Sequence, residues 1–161
     1  GEGSVTAYRF TRGEFYTFSR ICGRCRLPAA LFPQEMDSRE EAAALEQLER
    51  KRFLTRTGDE LAVDRVLLYL LRQMAQAQRF LQDPEGRTFV YQGPQVWVLL
   101  QRERLNPNML ELSPWESLEQ LQDSFSDSLT VLRWVREELE RSDFHDPIPA
   151  GDPLPGDGPQ L

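Results

Sequence analysis

Apolar positions along this chain change period several times, and each change marks an element. Val5–Phe10 sets β-branched and aromatic residues among polar ones, which predicts a short strand. Thr11 stands three residues before Glu14, the spacing of a capping box, and Phe15, Phe18, Ile21 and Cys22 follow at helical intervals. A helix from about Arg12 to Cys22, ended by Gly23, is therefore expected. Leu27-Pro28 to Pro33 reads as a loop whose apolar residues pack on the core. Ser38 caps a second helix with Glu41 as its box acid, and Ala42, Leu45 and Leu48 share one face. Phe53-Leu54-Thr55, a turn over Thr57-Gly58-Asp59-Glu60, and Leu61-Ala62-Val63 predict a hairpin. Asp64 then caps a long helix to about Leu81, striped by Leu67, Leu70, Leu71, Met74, Ala77 and Leu81.

Helix, hairpin and helix in that order, over Leu45 to Gln78, is the signature of a winged-helix unit, a scaffold that reads DNA in some proteins and binds proteins in others. Asp83-Pro84-Glu85-Gly86 is a turn and a natural module boundary. Beyond it, Thr88–Tyr91 and Gln95–Leu100 predict two strands joined at Gly93-Pro94. Both faces of the second are apolar, so it is covered on both sides. Met109–Leu112 adds a third. Ser113 as N-cap with Pro114 at the first position opens a last helix, along which Leu118, Leu121, Phe125, Leu132, Val135 and Leu139 form a seam. After Asp143, five prolines and three glycines stand among few apolar residues, too few to drive ordering.

The expected fold class is α+β: a winged-helix-like helical unit followed by a small antiparallel sheet and a long C-terminal helix. One domain spans 1–145, with the winged-helix-like part at 11–82 and the sheet plus helix at 88–141. A disordered Pro/Gly-rich tail covers 146–161. Gly1-Glu2-Gly3-Ser4 reads as an expression scar or a trimmed start.

Composition narrows the function. With 161 residues, 40% hydrophobic and 28% charged, the chain can bury a core, and no apolar run approaches the roughly 18 residues a membrane helix needs. The net charge of −7 is uneven. Residues 1–82 carry 13 cations against 11 acids, and residues 83–161 carry 6 against 15. Such a balance repels phosphate backbones unless a local basic patch overrides it. Arg50-Lys51-Arg52 with Arg56 is the one candidate patch for nucleic-acid contact, at the end of the second helix and in the wing. Glu46 and Glu49 dilute it, and cations at a helix C-terminus also complement its dipole.

No residue pattern calls for catalysis. Cys22 and Cys25 form a lone Cys-x-x-Cys, and His145 still leaves a zinc site one ligand short. The pair reads as two reduced thiols in a cytoplasmic protein. Acids are spread over helix surfaces, the single His lies at the edge of the tail, and Lys51 lacks the glycines of a phosphate loop. No catalytic, cofactor or metal residue is expected. Large aromatics remain as interface anchors: Trp97, Trp115, Phe125 and Trp134 are the candidate partner-binding residues. Trp115 falls in the first turn of the last helix, off its seam, where it can be exposed.

One family resemblance adds to this reading. Tyr8-Arg9-Phe10-Thr11-Arg12-Gly13-Glu14-Phe15, the Leu27-Pro28 loop, Leu45-Glu46-Gln47-Leu48 to Phe53-Leu54, Gly58-Asp59-Glu60-Leu61, and Phe89-Val90-Tyr91 with Val96–Leu100 follow in an order. That order resembles the N-terminal half of the EspG-like chaperones of ESX (type VII) secretion systems, over roughly residues 5–130. The resemblance implies a cytoplasmic, non-catalytic binder of helical-hairpin secretion substrates. The expected function is thus a protein-binding module, a secretion-associated chaperone or adaptor; the alternative is a winged-helix DNA-binding transcription regulator.

Overall fold

A computed structural model describes residues 7–22, 36–83, 86–124, 133–135 and 148–149. The first described element is β1 (Tyr8–Thr11), which passes at once into α1 (Arg12–Cys22). The capping box is formed at that junction: Glu14 N–H donates to Thr11 Oγ1 at 3.0 Å, and Thr11 N–H donates to Glu14 Oε1 at 2.9 Å. α2 (Ser38–Arg50) is capped one residue earlier than expected, by Asp37, whose carboxylate accepts from Glu40 N–H at 2.7 Å. Its buried positions are Ala44 and Leu48.

The hairpin follows as β2 (Leu54–Thr57) and β3 (Glu60–Val63). Gly58 takes φ 64° at the first turn position, a left-handed value that glycine adopts freely and that suits the twist of a tight hairpin. α3 (Arg65–Ala75) is capped by Asp64, which accepts from Leu67 N–H at 3.0 Å. Leu67, Leu70, Leu71 and Met74 are fully buried.

α3 does not run on to Leu81. Arg79–Gln82 is β4, hydrogen-bonded to β5 (Thr88–Gln92) across the turn at Asp83–Gly86. Helical spacing put Leu81 on the α3 stripe, but Leu81 packs in a different cluster, with Val90 and Leu99. The turn thus joins two strands of one sheet. Asp83 holds it, accepting from Arg87 N–H (2.6 Å) and Thr88 N–H (2.8 Å).

β6 (Trp97–Arg102) and β7 (Met109–Trp115) continue the sheet, and β8 (Arg133–Val135) adds to its far edge. The strand order is β1-β7-β6-β5-β4-β8, every pair antiparallel. β1 thus reaches across the chain to pair with β7, Tyr8 opposite Leu112 and Thr11 opposite Met109. Ser113 and Pro114, expected to start a helix, lie in β7. Glu103 N–H donates to the Met109 carbonyl, which by alternation makes Val98–Pro114 a non-hydrogen-bonded pair, so the missing N–H forfeits no bond to β6.

The expected last helix is not continuous among the described residues. α4 is Leu118–Ser124, seven residues, and Val135 of the expected seam lies in a strand. The long C-terminal helix of the sequence reading is not what these residues form. Pairing of Phe80–Gln82 with Arg133–Val135 completes backbone hydrogen bonds that a helix at those positions would leave open on β4. Residues 125–132 and 136–147 lie outside the described residues. Within the tail expected to be disordered, Ile148–Pro149 forms β9, which joins the second sheet in the order β2-β3-β9.

The larger sheet separates two apolar clusters. Phe89, Tyr91, Val98, Leu100, Leu110 and Leu112 face α1, α2 and α3 in the main core, with Phe10, Phe15 and Phe18. Val90 and Leu99, one residue out of phase, face the other way, where α4 lies.

Candidate partner-binding surface

The second face of the sheet is built by strand alternation. Leu81, Val90 and Leu99 stand side by side on β4, β5 and β6, and Trp97 is directly opposite Trp115 on β7. Leu118 and Leu121 of α4 pack on this row, Leu121 fully buried. Trp115 is 8% exposed, and its indole Nε1–H donates to Ser113 Oγ at 2.9 Å. It is a core residue at the end of a strand, not an exposed residue of a helix's first turn. Trp97 is half-buried, at the rim of the same cluster. Of the other two anchors, Trp134 lies in β8 opposite Leu81, and Phe125 lies outside the described residues.

Along the strands the same face turns from apolar to charged. Arg9, Glu111 and Gln101 are cross-strand neighbours on it, two rungs beyond the tryptophans. Arg9 binds Glu103 through two bonds, Nε to Oε2 at 2.8 Å and Nη2 to Oε1 at 3.0 Å, and lies 3.8 Å from Glu111. The hydrogen bond and charge of Glu103 raise the Arg9 pKa, and the bond from Arg9 lowers that of Glu103. The surface is thus polarised, with an aromatic end and an ion-paired end.

The basic cluster at the wing is largely neutralised. Arg50 Nη2 donates to Glu46 Oε1 (2.8 Å), and Arg56 Nε to Glu49 Oε1 (2.9 Å). Lys51, the chain's single lysine, turns inward. Its Nζ donates to Glu14 Oε1 (2.6 Å) and to the Arg9 carbonyl (3.0 Å), and lies 5.8 Å from the Phe53 ring centroid. Glu14 is 7% exposed there, so the ammonium is what balances a buried carboxylate. It also covers the outer edge of β1, which blunts that edge as a place for another strand. Arg52 is exposed, in a left-handed conformation with φ 64°. The exposed side of α2 sets Arg39 and Arg50 against Glu40, Glu41, Glu46 and Glu49.

Sequence reasoning missed three exposed apolar residues: Val66 (47%), Tyr69 (39%) and Leu105 (101%). Val66 sits on the flank of α3 that the apolar stripe leaves out, a position its spacing could have revealed. Leu105 is at the tip between β6 and β7, and its only signal is an apolar residue in a polar turn. Tyr8 was also missed; burial and the charge of Asp64 raise its pKa, and its ring meets Phe53 edge-on at 5.6 Å. Cys22 ends α1, while Cys25 and His145 lie outside the described residues. Among the described residues no group of three or more His, Cys, Asp or Glu is placed to hold a metal ion. No helix there is long and apolar enough to cross a membrane.

No model of a known protein family matches this chain, and no curated protein matches it.

Proposed function

We propose that this chain is a non-catalytic protein-binding module that engages its partner at the Trp97 end of the second sheet face, beside α4. One observation carries the reading. Trp97 is half-buried at the rim of an apolar row whose described cover is a single seven-residue helix, opposite a Trp115 locked by Ser113. A rigid aromatic on a fixed strand, apolar below and reachable at its edge, is the geometry of an interface anchor.

Seven of the described carboxylates are committed to structure, which favours a binding role over a catalytic one. Glu14, Asp37 and Asp64 cap helices, Asp83 closes a turn, and Glu46, Glu49 and Glu103 hold arginines. For the partner class we favour a helical secretion substrate, on the resemblance to the EspG-like chaperones. We read the passage from β1 into a capped helix, the α2–β2–β3–α3 unit and the following sheet in the light of that resemblance. In this reading the α2–β2–β3–α3 unit is a winged-helix-like scaffold. The DNA-reading alternative has less support: three of its four cations are paired with carboxylates, and α2 itself carries two cations against four acids.

The test is co-purification of the native chain from its host at mild salt, with the partner identified by mass spectrometry. The expected result is a stoichiometric helical protein, lost with Trp97→Ala and kept with Tyr69→Ala. Recovery of no stable partner, or a partner indifferent to Trp97, would overturn the reading. A salt-sensitive shift of duplex DNA that disappears on replacing Arg50, Arg52 and Arg56 would favour the alternative.

A further inference from the structure

The hairpin of β2 and β3 has a third strand drawn from the far end of the chain. β9 runs parallel to β3, Ala62 against Ile148 and Val63 against Pro149. The two edges of β3 can be told apart from the ladder. Thr57 and Glu60 close a two-residue turn, which makes them a hydrogen-bonded pair, and alternation makes Thr55 and Ala62 the next. Asp64 N–H continues the phase by donating to the Phe53 carbonyl at 3.0 Å. The N–H groups of Leu61 and Val63 therefore point away from β2, toward β9.

The sequence of β9 suits a strand that pairs and cannot grow. Pro149 biases the residue before it toward extended backbone, so Ile148 is held in the strand region before it meets β3. Prolines on both sides of Ile148 lack an N–H, which leaves Ile148 as the only donor in Pro147-Ile148-Pro149. A strand of two residues bounded in this way contributes little to a sheet's stability. It has the properties of a tethered ligand: preformed, self-limiting and replaceable.

We propose that the outer edge of β3 is a binding site for short extended segments in which a residue with a free N–H precedes proline. Its resident occupant is this chain's own Ile148–Pro149, which holds the site closed. The site lies on the smaller sheet and does not depend on the Trp97 surface, so either can fail without the other. Tethering confers an effective concentration on the order of millimolar, so a free peptide of the same sequence competes poorly until the tethered copy is disabled.

The experiment uses the full chain and its Ile148→Pro variant, in which the segment loses its one donor. Two readouts are followed: amide exchange at Ala62 and Val63, and the anisotropy of a labelled synthetic peptide spanning 146–152. In the native chain Val63 is expected to exchange slowly. In the variant Val63 should exchange roughly tenfold faster or more, while Ala62, which faces β2, is unchanged and reports that the hairpin is intact. The peptide should bind the variant saturably and the native chain at least about tenfold more weakly, and a peptide carrying the same change should not bind. Equal Val63 exchange in the two chains, or a peptide that binds both or neither, would overturn the proposal. A native chain that is dimeric where the variant is monomeric would also overturn it, since the occupant would then be a second copy's segment.

Discussion

At the scale of single residues, Arg52 is where local geometry and residue type disagree. α2 ends in a Schellman turn: Arg52 N–H donates to the Glu49 carbonyl and Phe53 N–H to the Leu48 carbonyl, both at 3.0 Å. The turn requires a left-handed residue at Arg52, where glycine is at ease and an L side chain costs roughly 1–2 kcal/mol. Glycine also adds entropy to the unfolded chain, which offsets part of the relief. Arg52→Gly should therefore stabilise by a few tenths to about 1 kcal/mol, read as a higher urea midpoint at unchanged slope. A lower midpoint would mean that the Arg52 side chain contributes more than the strain. Glu103 gives a second residue-level expectation. Its folded pKa is held below the ordinary 4.5 by Arg9, so the stability it contributes is fully present above that value and is lost as pH falls through the depressed folded value. The stability difference between the native chain and Glu103→Gln should be constant near neutrality and shrink only in acid below about pH 4.5. A difference that shrinks above pH 5 would contradict the assignment.

At the scale of elements, the connection between β5 and β6 is clamped to α3 by one side chain. Gln73 Oε1 accepts from Gln95 N–H (2.8 Å) and Val96 N–H (3.2 Å), while its Nε2 donates to Gln95 Oε1. Gly93 lies under that clamp, its N–H donating to the Val96 carbonyl at 3.0 Å. A Cβ there would meet the Val96 carbonyl oxygen at 2.7 Å and the Gln73 side chain closer still. Both neighbours are held by hydrogen bonds, so Gly93→Ala should cost about 1–3 kcal/mol by overpacking. Gly58→Ala meets nothing within 4 Å and pays only for its left-handed φ, roughly 1–2 kcal/mol. A Gly93→Ala chain as stable as the native one, by urea unfolding, would show that the loop yields. Signals within one turn of chain were legible in the sequence: the Thr11–Glu14 box, the start of α1, the Gly58 turn and the Asp64 cap. Strand patterning also marked β1, β5, β6 and β7, but where local spacing favours a helix and a distant partner decides otherwise, the sequence misled. Leu81 continues the helical spacing of α3, and only pairing with Val90 makes it a strand residue. Ser113-Pro114 carries the local mark of a helix start, and pairing with Val98 and Leu99 overrides it. The Trp97–Trp115 pair was hidden for the same reason, since it exists only through the β6–β7 register. Lys51 read as one of four surface cations because its partner Glu14 is 37 residues away.

At the scale of the whole molecule, the two halves are joined by backbone and by charge. β1 pairs with β7, which places the first described strand inside a sheet otherwise drawn from residues beyond α3. Lys51 ties the end of α2 to the start of α1 and to the β1 carbonyl. The main core runs without a break from Phe10 and Phe15 through Leu71 to Tyr91 and Leu112. A chain joined in this way should unfold as one unit, and its own chromophores can show it. The three tryptophans, at 97, 115 and 134, all lie in the sheet half, whereas most of the helix lies in α1, α2 and α3. Tryptophan fluorescence and helical circular dichroism therefore report on different halves, and their urea transitions should coincide. Lys51→Met sharpens the test. It strands the Glu14 carboxylate, 7% exposed, and should destabilise by about 3 kcal/mol. If the halves are one cooperative unit, both transitions move to lower urea together, although the substitution lies far in sequence from every tryptophan. A helical transition that moves while the fluorescence transition stays would place a boundary near Asp83 after all, and the sheet would then be stable without α1 and α2.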